Sequence, residues 1–205
     1  RRRDKAASLR AAVAEFDIPR LSADVALARA EVAHMLGDLA MMEGCAVEAE
    51  RLARPVAHAV ALAGASRFRA WAAAARGEAA AARALWADAR GQYESMDSPH
   101  LVLDVRTELA ALERAHGDPG AASVAALAVL EDGRGTATGE AAEDPWPLLG
   151  AHSLWRCQFI LADTGHALVG RVRGELMRRL RQQLAQLPDE EARQRLVQTL
   201  PHWRE

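Results

Sequence analysis

The chain has 205 residues, half of them hydrophobic but only 4% aromatic, and alanine carries much of the apolar count. Alanine is the strongest helix former, and the β-branched and aromatic residues that strands favour are sparse, which predicts an all-α protein and excludes a thick sheet-built core. The balance of 26 basic and 28 acidic residues, net charge −2, is not the clearly basic signature of a dedicated nucleic-acid binder, and no apolar run approaches the ~18 residues a membrane span requires.

In chain order, residues 6–18 look like the end of a truncated preceding helix pair, and Arg1-Arg2-Arg3 like the cut end of a larger polypeptide. Pro19 marks a loop, and Ser22 is a helix-capping residue type opening a helix that is expected to run to about residue 43. Further helices are expected near 46–63, 66–76, 79–95, 100–116, 119–131, 147–163 and 166–186. They group as repeats over 20–63, 66–96, 100–131 and 147–186. The Gly-rich polar stretch 132–145 reads as a mobile surface loop. Asp189 and Glu190 after Pro188 suit a helix start, giving a C-terminal capping helix within 188–205. Cys45 and Cys157 both fall inside helical patterns, so reduced thiols in a cytoplasmic protein are expected. Lys5 is the only lysine, which reads as a coding bias of a GC-rich genome.

The segments share an internal grammar, the first thing to test in a helix-rich chain. An apolar stripe runs up to a glycine suited to a left-handed helix cap. Small and apolar residues then follow at the fifth, eighth and twelfth positions. Gly44 leads to Ala49, Leu52 and Val56; Gly77 to Ala82, Leu85 and Ala89; Gly117 to Ala122, Ala125 and Val129; Gly165 to Val169 and Val172 (the fourth and seventh positions) and Met177. The glycine spacings on this alignment are 33, 40 and 48 residues.

Leu36-Gly37, Ala40, Gly44, Ala49 and Val56 resemble the tetratricopeptide (TPR) consensus, although Ala33 stands where that family usually has Trp and the Pro that often ends a repeat is missing. The C-terminal third, through Leu154-Trp155-Arg156-Cys157-Gln158, Gly165-His166, Leu187-Pro188-Asp189-Glu190-Glu191-Ala192-Arg193 and Leu200-Pro201-His202-Trp203-Arg204-Glu205, resembles the tail of bacterial multidomain regulators that join an AAA-type or STAND ATPase to C-terminal TPRs. The resemblance implies a right-handed superhelical solenoid of stacked antiparallel helix pairs, about four degenerate repeats plus a C-terminal capping helix. It also implies a role in signal transduction or transcription regulation, by binding a protein, a peptide, an effector or other domains of the parent protein. No ATPase or cyclase motif lies in this chain. The alternative class is an oligomerisation or spacer scaffold, with Ala-rich faces packing two copies.

In TPR arrays the first helix of each pair lines a concave groove. Carrying those positions over gives Glu31, His34, Asp38, Met41 and Met42 in the first repeat, Arg67 and Trp71 in the second, Asp104, Thr107 and Arg114 in the third, and His152, Trp155 and Phe159 in the fourth. Trp, Arg and Met are frequent interface anchors, while Trp71, Trp155 and Phe159 read equally well as core between repeats. The groove lacks the Lys/Arg carboxylate clamp of chaperone-binding TPRs, so an acidic C-terminal peptide is not expected as ligand.

Catalytic, metal and cofactor residues are not expected. The loop from Gly133 to Gly139 has neither the lysine nor the preceding strand of a phosphate-cradling loop. The seven histidines and two cysteines form no pair at metal-ligand spacing. The run Arg171, Arg173, Arg178, Arg179 and Arg181 lies opposite a core-facing stripe, the usual pattern of a solvated face, with an anionic partner as the sharper reading.

Overall fold

The computed structural model describes residues 19–134, 145–191 and 193–194. Among these the protein is all-helical, with eight helices packed in adjacent pairs: α1 (Pro19–Leu36), α2 (Leu39–Ala53), α3 (Ala59–Ala75), α4 (Ala79–Ser95), α5 (Pro99–Ala115), α6 (Pro119–Gly133), α7 (Ala151–Asp163) and α8 (Val169–Ala185). A 3-10 turn, Arg54–Val56, extends α2. The truncated helix expected within 6–18 and the body of the 132–145 loop lie outside the described residues. Of the expected cap, residues 190, 191, 193 and 194 are helical, and the Arg193 amide donates to the Asp189 carbonyl at 3.2 Å. No helix among the described residues is long and apolar enough to cross a membrane.

The turns follow a stricter rule than the glycine alignment suggested. A left-handed residue stands at Gly37, Ala57, Gly77, Asp97 and Gly117, spaced by 20, and again at Gly165. At all six, the amide of the next residue donates five positions back: Asp38 to Ala33, His58 to Ala53, Glu78 to Ala73, Ser98 to Tyr93, Asp118 to Glu113 and His166 to Leu161, at 2.9–3.3 Å. This bond closes a helix C-terminus. At the first five turns the same residue then starts the following helix. Asp38 and Asp118 add a side-chain cap, accepting from the amides of Met41 at 2.9 Å and Ala121 at 2.7 Å, each worth about 1 kcal/mol.

Two sequence expectations are corrected here. Gly44 is not a turn but an interior position of α2; the first pair turns at Gly37, where φ is +73°. The helix expected over 46–63 is broken by Pro55 and by Ala57 in the left-handed region. Measured between equivalent turns, Gly37, Gly77 and Gly117, the helix-pair period is 40 residues, longer than the ~34 of a TPR.

The chain divides into two compact units, residues 1–92 and 93–205, with the division falling inside α4. In the first unit α1, α2 and α3 pack on one another through alanine. Ala23, Ala53 and Ala61 form one buried group; Ala26, Ala49 and Ala65 form another. Ala30, Ala33, Cys45, Ala46 and Ala72 surround Met42 and Phe68 in a third. Such small side chains require close helix approach. At Gly64 a Cβ would come within 2.9 Å of the Leu27 side chain, a close approach of α1 and α3. Ion pairs tie the helix surfaces, Glu50 to Arg69 and Glu43 to Arg76, each at 2.6 Å.

The second unit is built on one continuous core of larger residues. Leu103, Val129, Leu130, Leu154, Ile160, Leu161, Val172, Leu176 and Leu180 come from four helices, and Trp146 and Leu149 from the segment before α7. The helix expected to begin at 147 therefore begins at Ala151. Residues 145–150 instead form a strap that seats Trp146 with no exposure. The strap is held by Arg179, which donates to the carbonyls of Trp146 (2.6 Å) and Leu149. Arg171 lies over the Trp146 ring at 5.7 Å.

Candidate functional site

The residues expected on the groove separate once side-chain positions are known. Met42 and Thr107 have no exposure and belong to the interior, contrary to the groove assignment. The reason is helical phase: Met42 faces α1 and α3 with the buried alanines, and the Thr107 hydroxyl donates to the Leu103 carbonyl at 2.8 Å within α5. Asp38 serves as the cap of α2, and Glu31 and Met41 are exposed.

In the first unit, His34 of α1 stacks on Trp71 of α3 with ring centroids 4.2 Å apart and planes within 9°. Phe68 packs against Trp71 at 5.4 Å. The Arg67 guanidinium lies 5.3 Å from the Phe68 ring and 5.2 Å from the Trp71 ring, within cation–π range.

In the second unit, Arg114, His152, Trp155 and Phe159 gather on the facing sides of α5 and α7. Arg114, Trp155 and Phe159, but not His152, border an open cleft of about 500 Å³ lined also by Ala111, Ala115, Arg156, Ile160 and Asp163. The cleft exists because α5 contributes the short side chains of Ala111 and Ala115 while α7 contributes rings. Trp155 and Phe159 meet edge to face at 5.3 Å, a favourable aromatic geometry.

The polar atoms around the cleft have an order of their own. Arg114 donates through Nε to Asp163, at 2.5 Å, and through a terminal nitrogen at 3.2 Å, and that bond holds the Asp163 carboxyl below its usual range. Asp104 accepts from the Ser153 hydroxyl at 2.6 Å. Glu108, its side chain 4% exposed, faces His152 Nε2 at 2.6 Å and an Arg156 nitrogen at 3.5 Å. Arg156 in turn lies over the Trp155 ring at 5.1 Å. Behind this wall sits Cys157, whose thiol is pushed up to about 12 by burial. Among the described residues no group of His, Cys, Asp or Glu is arranged to hold a metal ion.

Sequence reasoning missed Glu108, Arg156 and Asp163. A signal for Glu108 was present: it occupies a core-stripe position, three residues after Val105 and four before Leu112, where a lone acid needs a partner. A signal for Arg156 emerges only with the corrected register. Arg67, Phe68 and Trp71 stand ten, nine and six residues before Gly77, and Trp155, Arg156 and Phe159 stand ten, nine and six residues before Gly165. The first helices of the second and fourth pairs thus carry the same set, one arginine and two rings, at the same three places.

The basic run on α8 resolves mostly into local ties. Arg179 holds the strap, and Arg171 covers Trp146. Arg178 and Arg179 both pair with Glu175, at 2.6 and 2.7 Å; burial pushes that carboxyl up, but the two arginines together hold it below its usual range. Arg173 and Arg181 are exposed. Set against protein-family models, curated proteins and solved structures, the chain matches none.

Proposed function

We propose that the chain is a non-catalytic binding module of TPR-like helical pairs that takes a partner in the α5/α7 cleft. On the resemblance of its C-terminal third, it serves as the regulatory part of a larger bacterial signalling or transcription-regulating ATPase. In this reading the pairs stack as a right-handed solenoid, and the first helices form its inner wall. The observation that carries the binding role is the cleft itself: two rings, two arginines, an aspartate and small aliphatic residues line a space of about 500 Å³, a size that ligand sites use. Packing of α5 on α7, first helix against first helix, supports the inner-wall assignment. Binding would act by differential affinity for two states of the parent. The test is a thermal-shift and NMR screen of the chain against candidate effectors and the ATPase domains of the parent. Shifts at residues 111–115 and 155–163 that vanish in Trp155→Ala support the reading. A screen in which every binder perturbs only other surfaces counts against it.

A second reading, an oligomerisation scaffold, is favoured by one observation. Leu21, Val25, Val32, Met35 and Leu36 form an apolar stripe along α1, each 43–74% exposed. Light scattering over a concentration series decides: a monomer at all concentrations removes this reading. A dimer that dissociates on Val25→Glu with Val32→Glu establishes it.

A further inference from the structure

Resting on the reading of the α5/α7 cleft as a binding site, we propose that its ligand is a small aromatic carboxylate, the ring seated by Trp155 and Phe159 and the carboxylate received by Arg156. Three observations lead there. The first is size. A space of about 500 Å³, with Ala111, Ala115 and Ile160 among its lining residues, lies in the range of small-molecule sites.

The second is charge. The lining holds two cations, Arg114 and Arg156, and one anion, Asp163. The Arg114 fork is closed by two bonds to Asp163. The Arg156 fork is not closed in this way. Its carboxylate neighbour Glu108 makes the short contact with His152, at 2.6 Å, and stands 3.5 Å from Arg156. Arg156 Nε has no hydrogen-bond partner, so the guanidinium keeps donor capacity that a planar ligand carboxylate can fill.

The third is orientation. Arg156 lies over the Trp155 ring and beside Glu108, two contacts that bias its position before a ligand arrives. A guanidinium lying over a ring keeps its in-plane N–H groups for a planar acceptor. Glu108 acts as a positioning residue, its buried charge keeping Arg156 and His152 at the cleft wall.

The experiment is an NMR titration of the full chain at constant ionic strength with phenylacetate, 2-phenylethanol, acetate and phenyl phosphate. Phenylacetate is expected to shift the amides of residues 111–115 and 155–163 and to bind about tenfold or more tightly than the neutral alcohol. Acetate, which lacks the ring, is expected to bind about tenfold or more weakly than phenylacetate. In Arg156→Gln the preference over the alcohol is expected to fall to about unity while alcohol binding is retained. Arg156→Lys, which keeps the charge without the fork, is expected to retain part of the preference, and an unchanged melting profile for either variant separates this from misfolding. Equal affinity for acid and alcohol overturns the proposal, as does tighter binding of phenyl phosphate or shifts confined to other surfaces. A peptide or parent domain that perturbs the same amides while aryl acids do not leaves the binding role standing and removes this ligand class.

Discussion

The two units use opposite solutions to the same packing problem. Around α1–α3 the contact surface is largely alanine, in small separate buried groups, with Met42 and Phe68 among the few large side chains. Around α5–α8 a single core of Leu, Val, Ile and Trp spans four helices and the strap. Close-packed interiors penalise both voids and excess volume, but the exposure of each unit to the two errors differs. The alanine layers have little to lose by deletion and no room for addition. The larger core has room-filling residues whose removal leaves a void.

Four experiments test this contrast, in order of expected size. Trp146→Ala empties the centre of the strap and removes the ring under Arg171; a loss of about 3–5 kcal/mol in unfolding free energy is expected from urea titration. Ala49→Leu adds volume to a layer formed with Ala26 and Ala65, with an expected cost of about 1–3 kcal/mol. If the alanine change proves silent while Trp146→Ala is severe, the first unit is looser than its layers imply. Near-equal and small effects at both sites would end the comparison altogether.

The third experiment checks the register on which the comparison rests. Gly37 sits at φ +73°, and a side chain there is strained by about 1–2 kcal/mol. Gly44 lies inside α2 with nothing within 4 Å of an added Cβ, so alanine should stabilise by about 0.5–1 kcal/mol. Thermal melts of Gly37→Ala and Gly44→Ala should therefore move in opposite directions. A destabilised Gly44→Ala would restore the 33-residue alignment and reject the 40-residue one.

The fourth effect is the smallest and concerns acid. The Glu175 carboxyl lies below its usual range in the folded protein. A depressed folded-state value gives stability that is present above the unfolded value and lost as pH falls through the folded one. The urea midpoint is expected to decline as pH drops below about 4.5, with a shallower decline in Glu175→Gln. An identical slope in that variant would assign the acid sensitivity to other carboxylates.

Much of the helical layout was legible in the amino acids. The spans of α4 and α5 were anticipated to within a residue, because Gly77, Gly117 and the Pro residues after Ser98 and Asp118 punctuate strong helical runs. The first pair was misjudged because two glycines, Gly37 and Gly44, compete within one apolar stretch. Only the first is followed by an acid that can cap the next helix. The break at Ala57 carries no glycine at all; its one sequence signal is Pro55, a helix breaker two residues earlier. The strap was not legible because its anchor, Arg179, lies thirty or more positions from the Leu149 and Trp146 carbonyls it holds. At the cleft, Arg114, Trp155 and Phe159 are positions that the TPR resemblance carries over, as is nearby His152; Glu108 shows only as a lone acid in an apolar stripe, and Arg156 only once the register is set at Gly77 and Gly165.

One further property follows from where the sulfur atoms lie. Each unit contains a single cysteine, Cys45 in the first and Cys157 in the second, and both are buried. Alkylating reagents capture the thiolate, a form that Cys157 scarcely populates near neutral pH with its thiol at about 12. Capture then waits on transient loosening of the surrounding helices. The native chain thus contains two built-in clocks, and their separate labelling rates time how often each half breathes, without any engineered probe.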